Sequence, residues 1–338
     1  MADATPGGVP GGGPGLSDAQ GRRISYLRIS VTDRCNLRCL YCMPEEGTVW
    51  LPRGAILSYE EITEVVRQLQ PHGVRRLRVS GGEPTIRPQL EVLLRLLAAT
   101  PGIEDLALST NGVTLAGVAR RYADAGLRRV NISVDTLRPE RIARIARRDL
   151  RFEPVAAAAA AQSAGLDPVK LNVVVMRGVN DDEVADLARL TSQRPWHVRF
   201  IELMPVGDLA PLTWEHVVPS AEVLDRCAEA LGGLEPSAGP DGNGPAAYFR
   251  GPGAAGTVGV ITPMTHAYCG ACNRVRLTAD GRLRTCLFGT HEVDFRGPLR
   301  RGEPLAPLFA RALAEKPPEH HLRQLDAGGL SALSQVGG

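Results

Sequence analysis

The 338-residue chain has almost no lysine. Of its 39 basic residues only Lys170 and Lys316 are lysines, and the rest are arginine. A coding bias explains such a preference in bulk, and it makes a lysine kept inside a strand informative. No run of eighteen apolar residues occurs, which excludes an ordinary membrane-spanning helix. The opening MADATPGGVPGGGPGL has no basic segment leading into an apolar one, so a secretory signal is not expected. Residues 1–22 read instead as a flexible Gly/Pro arm. The glycines at 11–15 lack the lysine and the strand–helix setting of a phosphate-binding loop. The net charge of +2 gives no sweeping basic field, so neither nucleic acid nor membrane is an expected partner. An anionic ligand would have to be met by locally placed charges.

What is present is a regular alternation. YLRISV (26–31), RRLRVS (75–80), DLALST (105–110), RRVNISVD (128–135), VKLNVVVM (169–176) and HVRFIELM (197–204) read as strands. Helical patterns follow each of them. The first starts near Ser58, with Ser58 and Glu61 spaced as a capping box. Its Ile62, Val65, Val66 and Leu69 share one face. Later helices are expected near 89–99, 115–126, 139–147, 153–164, 181–190 and 220–231.

Six βα units imply a parallel sheet covered by helices. Six fall short of a closed eight-stranded barrel, and a doubly wound sheet is the competing α/β architecture. In either, ligands gather at the carboxyl ends of the strands. A Gly/Pro-rich stretch (232–256) then breaks the pattern. It divides a βα region (23–235) from a C-terminal region (236–338).

Six of the seven cysteines fall into two tight groups, and Cys227 stands alone in a helical pattern as a buried structural thiol. Grouped cysteines without a secretion signal suggest metal ligands in a reducing, cytoplasmic setting. Cys35, Cys39 and Cys42 form C-x3-C-x2-C directly after the first strand. Three thiolates in so short a loop can hold three irons of a cubic four-iron cluster and leave the fourth open. The alternative is a zinc ion that borrows a distant fourth ligand, although this spacing is unusual for zinc.

Cys269, Cys272 and Cys286 are spaced C-x2-C-x13-C, with His266 and His291 nearby, so a Cys3His zinc site stands beside the cluster reading. The intervening NRVRLTADGRL reads as a hairpin turning at Asp280-Gly281. Arg274 and Arg276 alternate along its first strand and therefore share a face. That face suits a phosphate or an electron-rich heterocycle, or else is merely solvated.

The loop TDRCNLRCLYCMP resembles the radical S-adenosylmethionine superfamily. Together with CNRVRLT, RFIELM and SALSQVGG it is similar to the GTP 3′,8-cyclase family of molybdenum cofactor biosynthesis, from about Tyr26 to the last residue. That resemblance implies a partial (βα)6 TIM-like barrel whose open side is covered by a smaller C-terminal iron–sulfur extension. It implies two [4Fe–4S] clusters, the first binding S-adenosylmethionine and the second the guanine of GTP. A 5′-deoxyadenosyl radical would take the ribose 3′ hydrogen, leading to 3′,8-cyclo-7,8-dihydro-GTP. Tyr41, Gly82 and Glu83 of SGGEP, Ser133 and Met204 match cofactor-contact positions. Arg28, Arg78, Ser109, Lys170, Arg274 and Arg276 match GTP contacts. Gly337 and Gly338 match a tail needed for turnover, in which Arg274 and Arg276 also assist.

Taken alone, Arg28, Arg78 and Lys170 each read more readily as a surface charge. No residue stands out as a general acid or base. The resemblance further implies an electron donor such as flavodoxin or ferredoxin, and cyclic pyranopterin monophosphate synthase as the next enzyme. A homodimer is among the assemblies it allows. A peptide-modifying radical maturase is the rival within the superfamily. A zinc-stabilised binding module is the rival outside it.

Overall fold

The computed structural model describes residues 15–150, 152–205, 212–242, 244–289 and 291–320. In chain order its main elements are β1 (Tyr26–Ser30), α1 (Tyr59–Leu69), β2 (Arg76–Ser80), α2 (Leu90–Ala98), β3 (Asp105–Thr110), α3 (Leu115–Asp124), β4 (Arg129–Ser133), α4 (Pro139–Ala146), α5 (Pro154–Ser163), β5 (Val169–Val175), α6 (Val184–Gln193), β6 (His197–Glu202) and α7 (Ser220–Leu231). There follow β7 (Glu235–Pro236), β8 (Ala247–Arg250), β9 (Thr257–Ile261), β10 (Arg274–Leu277), β11 (Arg282–Arg284), β12 (Glu292–Asp294), α8 (Arg296–Arg300) and α9 (Ala306–Ala314).

All of these strands belong to one open sheet, ordered β12-β11-β10-β1-β2-β3-β4-β5-β6-β9-β8-β7. Strands β1 to β6 are parallel neighbours in sequence order, as a partial barrel requires. The C-terminal region does not build a sheet of its own. Its β9 extends the barrel parallel to β6, and its β10 extends the opposite edge parallel to β1. Beyond these, β8 and β11 run antiparallel and carry the sheet to its ends.

Alternation along the strands explains the layers. Leu27, Ile29, Leu77, Val79, Leu106, Leu108, Val130, Ile132, Leu171, Val173, Val198 and Phe200 are at most 2% exposed and share one core with the helices. Each fully buried side chain of this kind contributes roughly 1.5–3 kcal/mol. The residues between them face the barrel interior, and apart from Ala107 they are polar there: Arg28, Ser30, Arg78, Ser80, Ser109, Asn131, Lys170, Asn172 and Arg199.

The Ser58–Glu61 capping box forms at the start of α1, and Ile62, Val65, Val66 and Leu69 are buried. Cys227 lies within the main core. The strand read to 204 stops at Glu202, whose carboxylate accepts from the backbone of Met264 and Thr265, each at 3.0 Å. The helix read from 181 starts at Val184, after a short 3-10 turn. Asp181 accepts there from Gly178 N at 2.7 Å, and buried Glu183 holds Thr136 at 2.6 Å. Among the described residues, no helix is long and apolar enough to cross a membrane.

Candidate active site

The cysteine loop leaves β1 and sits at the carboxyl ends of the strands. Cys35, Cys39 and Cys42 line one cavity with Tyr41, Gly82, Glu83, Ser109, Ser133 and Asp135. Two cofactor candidates from SGGEP act first on the protein itself. A Cβ on Gly82 would stand 2.2 Å from the Arg34 carbonyl oxygen, and one on Gly81 would stand 2.4 Å from that of Thr32. The glycines thus let β2 approach the cysteine loop, sealed by Gly82 N to Thr32 O and Glu83 N to Arg34 O at 2.8 Å each. Glu83 accepts from Thr85 N and Oγ1, from Thr110 Oγ1 and from Asn111 N.

The surroundings of this triplet are acidic and dry. Burial, then Glu83, pushes the Cys35 thiol up to about 11, partly offset by the N–H of Leu37 that points at its sulfur. Burial and then Asp135 push Cys39 up as well, and its neighbours Cys42 and Cys35 add to the effect. Asp135, itself raised to about 6 by burial, accepts from Tyr41 Oη at 2.8 Å and from Val174 N at 2.9 Å.

Below lies a basic interior. Arg276, Arg28 and Arg78 are register partners across β10, β1 and β2. Lys170 pairs in register with Asn131, which pairs with Ser109. Burial, then Arg276 and Arg78, lowers Arg28; burial, then Arg274, lowers Arg276 to about 10. Lys170 is driven down to about 6 by burial, then by Arg199, Arg129 and Arg78. These cations are near neighbours where water is largely removed, and Lys170 and Arg129 both donate to the backbone carbonyl of Asp241. The Nε atoms of Arg78, Arg129 and Arg199 are buried without a hydrogen-bond partner. Buried cations so arranged call for an anion.

Arg199 and Arg129 escape a reading of the sequence based on resemblance. Arg199 is 2% exposed and donates to Asn172 Oδ1 at 2.5 Å, and Arg129 pairs with Asp105. The signal for Arg199 is plain in HVRFIE, where a charge sits between two core residues at the inward position.

The second triplet surrounds the start of β10. Cys269 and Cys272 flank a short 3-10 turn, and Cys286 follows β11 after the Asp280-Gly281 turn, where Gly281 takes φ +81°. Burial raises Cys269, and the charges of Cys286 and Cys272 raise it further. Burial also pushes Cys272 up, but Lys316 and Arg274 more than reverse this and leave it below its ordinary value. Arg274 stacks on Tyr268, 5.2 Å from the ring centre. Neither flanking histidine turns to the sulfurs: His291 pairs with Glu315 at 3.0 Å, and His266 contacts Thr265 Oγ1 at 3.3 Å. Met204 packs near this triplet, with Met264, Phe288 and Cys286. Gly337 and Gly338 lie outside the described residues.

Both sets suit iron–sulfur ligation by donor chemistry. Each offers three thiols outside any disulfide, with N–H donors aimed at sulfur from Leu37, His320 and Arg274.

Comparison with known proteins decides the family. Residues 29–191 match the Radical SAM superfamily, and residues 196–322 match Molybdenum Cofactor Synthesis C. The GTP 3′,8-cyclase of Pelotomaculum thermopropionicum is 49% identical over 96% of this chain and 100% of its own length. The chain belongs to the GTP 3′,8-cyclase family. The enzyme of that name from Moorella thermoacetica is 48% identical over the same shares of both chains. Streptococcus suis SuiB bound to S-adenosylmethionine superposes with a TM-score of 0.58 at 14% identity, over 80% of this chain and 63% of SuiB, a likeness of fold alone. Membership in this family brings a [4Fe–4S] cluster and S-adenosylmethionine, and the partial barrel is the superfamily's fold.

Proposed function

We propose that this chain is a radical S-adenosylmethionine enzyme that converts GTP to (8S)-3′,8-cyclo-7,8-dihydroguanosine 5′-triphosphate, the first step of molybdenum cofactor biosynthesis. The observation that carries this reading is the register of Arg276, Arg28 and Arg78 beneath a three-cysteine cavity in the same barrel.

Cys35, Cys39 and Cys42 would hold one cluster, and Cys269, Cys272 and Cys286 a second. When bound, the first cluster would supply the electron for reductive cleavage of S-adenosylmethionine, the source of the radical chemistry directed at the ribose 3′ position of GTP. The chain's own contribution is placement. Glu83 and Asp135 give the upper cavity negative character, which suits the sulfonium and ammonium groups of the cofactor. Tyr41, Gly82 and Ser133 line the same space, whereas Met204 is not among its lining residues and packs with Met264, Phe288 and Cys286.

Arg28, Arg78, Lys170 and Arg276, with Arg199, would hold the triphosphate, and Arg274 the guanine end near the second triplet. Ser109 lies where the two compartments meet. Fixing both reactants in one dry barrel is the main catalytic device, and no general base is needed. A low-potential protein donor such as flavodoxin or ferredoxin would reduce the clusters, and cyclic pyranopterin monophosphate synthase would take the product. Grouped thiols outside any disulfide fit a reducing cytoplasm.

The test is anaerobic incubation of the reconstituted protein with reductant, S-adenosylmethionine and GTP. The expected outcome is 5′-deoxyadenosine together with cyclised nucleotide. Reconstituted protein that yields neither would remove the proposal.

A further inference from the structure

Lys316, the second of the two lysines, takes no part in the chemistry described so far, yet it is only 3% exposed. It follows α9 and points into the second cysteine region. Its Nζ donates to the Arg274 carbonyl at 3.2 Å and, in a shorter contact, to the Thr285 carbonyl. It also hydrogen-bonds the side chain of Cys272. An ammonium has three donors, and these three partners account for them.

The placement of those partners matters. Arg274 comes two residues after Cys272, and Thr285 immediately precedes Cys286. One ammonium therefore ties together the two limbs that carry these cysteines. The next residues complete a clasp. Arg22 donates to the carbonyls of Pro317 at 2.7 Å and Pro318 at 2.9 Å, and to that of Cys269 at 2.8 Å, while Asp18 anchors it at 2.6 Å. All three limbs of the triplet are thus bound to the segment that begins at Lys316. Lysine brings a compact ammonium with three donors to this point, and it is kept here in a chain that otherwise uses arginine.

We propose that Lys316 is a positioning residue for the second cysteine triplet. Its ammonium closes the limbs of Cys272 and Cys286 and fixes a buried positive charge against the group bound there, making that group easier to reduce. Charge and hydrogen bonds at the sulfurs are what set such potentials. The inference rests on the reading that this triplet holds a [4Fe–4S] cluster.

The experiment is an EPR-monitored redox titration of the full-length, anaerobically reconstituted protein. A companion with Cys35, Cys39 and Cys42 changed to serine assigns the second signal. Iron content comes first: about eight irons per wild-type chain are needed, and about four with zinc in the second triplet would overturn the cluster reading itself, whatever Lys316 does. In K316M, about eight irons are expected. At the wild-type midpoint its ratio of reduced to oxidised second cluster should fall about tenfold, a shift of 59 mV for one electron. The first cluster should not move, and K316R should recover most of the shift. K316M with eight irons and an unmoved second midpoint overturns the proposal. If K316M loads only four irons, K316R and K316Q decide. Eight irons in K316R with four in K316Q supports the clasp. Eight in K316Q at the wild-type midpoint, or four in both, overturns it.

Discussion

The two cysteine triplets look alike in sequence and sit in opposite electrostatic settings. Around the first, carboxylates dominate: Glu83 and Asp135 add to burial and hold the thiols of Cys35 and Cys39 well above their ordinary range. Around the second, Lys316 and Arg274 overcome burial and bring Cys272 below its range. The same three-thiol arrangement is therefore prepared for different company. A negative environment favours a sulfonium or an ammonium as the neighbour, and a positive one favours a phosphate-bearing nucleotide. The barrel between them grades from one to the other, with Ser30, Ser80 and Ser109 at the upper positions of β1, β2 and β3, and Arg28 and Arg78 beneath the first two.

The sharpest way to break this comparison is to remove one ligand from each triplet. Cys39→Ser is expected to lower 5′-deoxyadenosine formation by about a thousandfold or more, equivalent to about 4 kcal/mol. Cys272→Ser should spare cofactor cleavage to within about tenfold and abolish cyclised nucleotide, because it disturbs the substrate side only. Chromatographic assay of both products settles it, and equal losses in the two variants would show that the triplets do not divide the labour.

A smaller effect is expected from the basic interior. Arg78→Met or Arg199→Met should raise the KM for GTP by about 10–100-fold, in line with the roughly 1.5–3 kcal/mol of a charged hydrogen bond. The KM for S-adenosylmethionine should hardly change. Steady-state kinetics with each substrate varied in turn checks both halves of the statement.

The mildest effect concerns pH. Burial, then Arg199, Arg129 and Arg78, bring Lys170 down to about 6. A triphosphate beside it would raise that value, so binding takes up a proton between pH 6 and the higher bound value. GTP affinity should accordingly fall as pH rises through that window, by up to about tenfold per pH unit. Calorimetry in buffers of different ionisation enthalpy reads the proton uptake directly, and Lys170→Met should flatten the slope. An affinity that is flat with pH in the unaltered protein would place Lys170 away from the phosphates.

Much of this molecule is legible in its sequence, and the parts that are not share a cause. Periodicity gives the first six strands nearly to the residue, because each has a core face that must alternate. The Asp280-Gly281 turn is equally plain, since Gly281 takes the positive φ such a turn demands. The joining of β9 to β6 and β10 to β1 is not written in any local pattern, because strand pairing across most of the chain has no sequence period. The same holds for the glycines of SGGEP. Their need for space is evident, but that the space is filled by Thr32 and Arg34 emerges only when the two loops meet. Lys316 could have been singled out by rarity alone, yet it sits in a loop, where rarity is easily overlooked, and its partners come from three separate limbs.

The pairing of β10 with β1 also orders events in time. β1 is among the first strands to leave the ribosome, and its outer edge must wait for almost the entire chain before β10 covers it. Contacts so distant in sequence form slowly, and an uncovered apolar strand invites pairing with other chains meanwhile. The first cysteine loop needs the chain only as far as α4, whose Ile145 and Ala146 carbonyls accept from Leu40 and Arg38, whereas the second needs the segment that begins at Lys316. Cell extracts that synthesise this chain should therefore accumulate a half-equipped species first, and any shortening before β10 leaves both an exposed edge and a barrel with only one of its two cysteine sites.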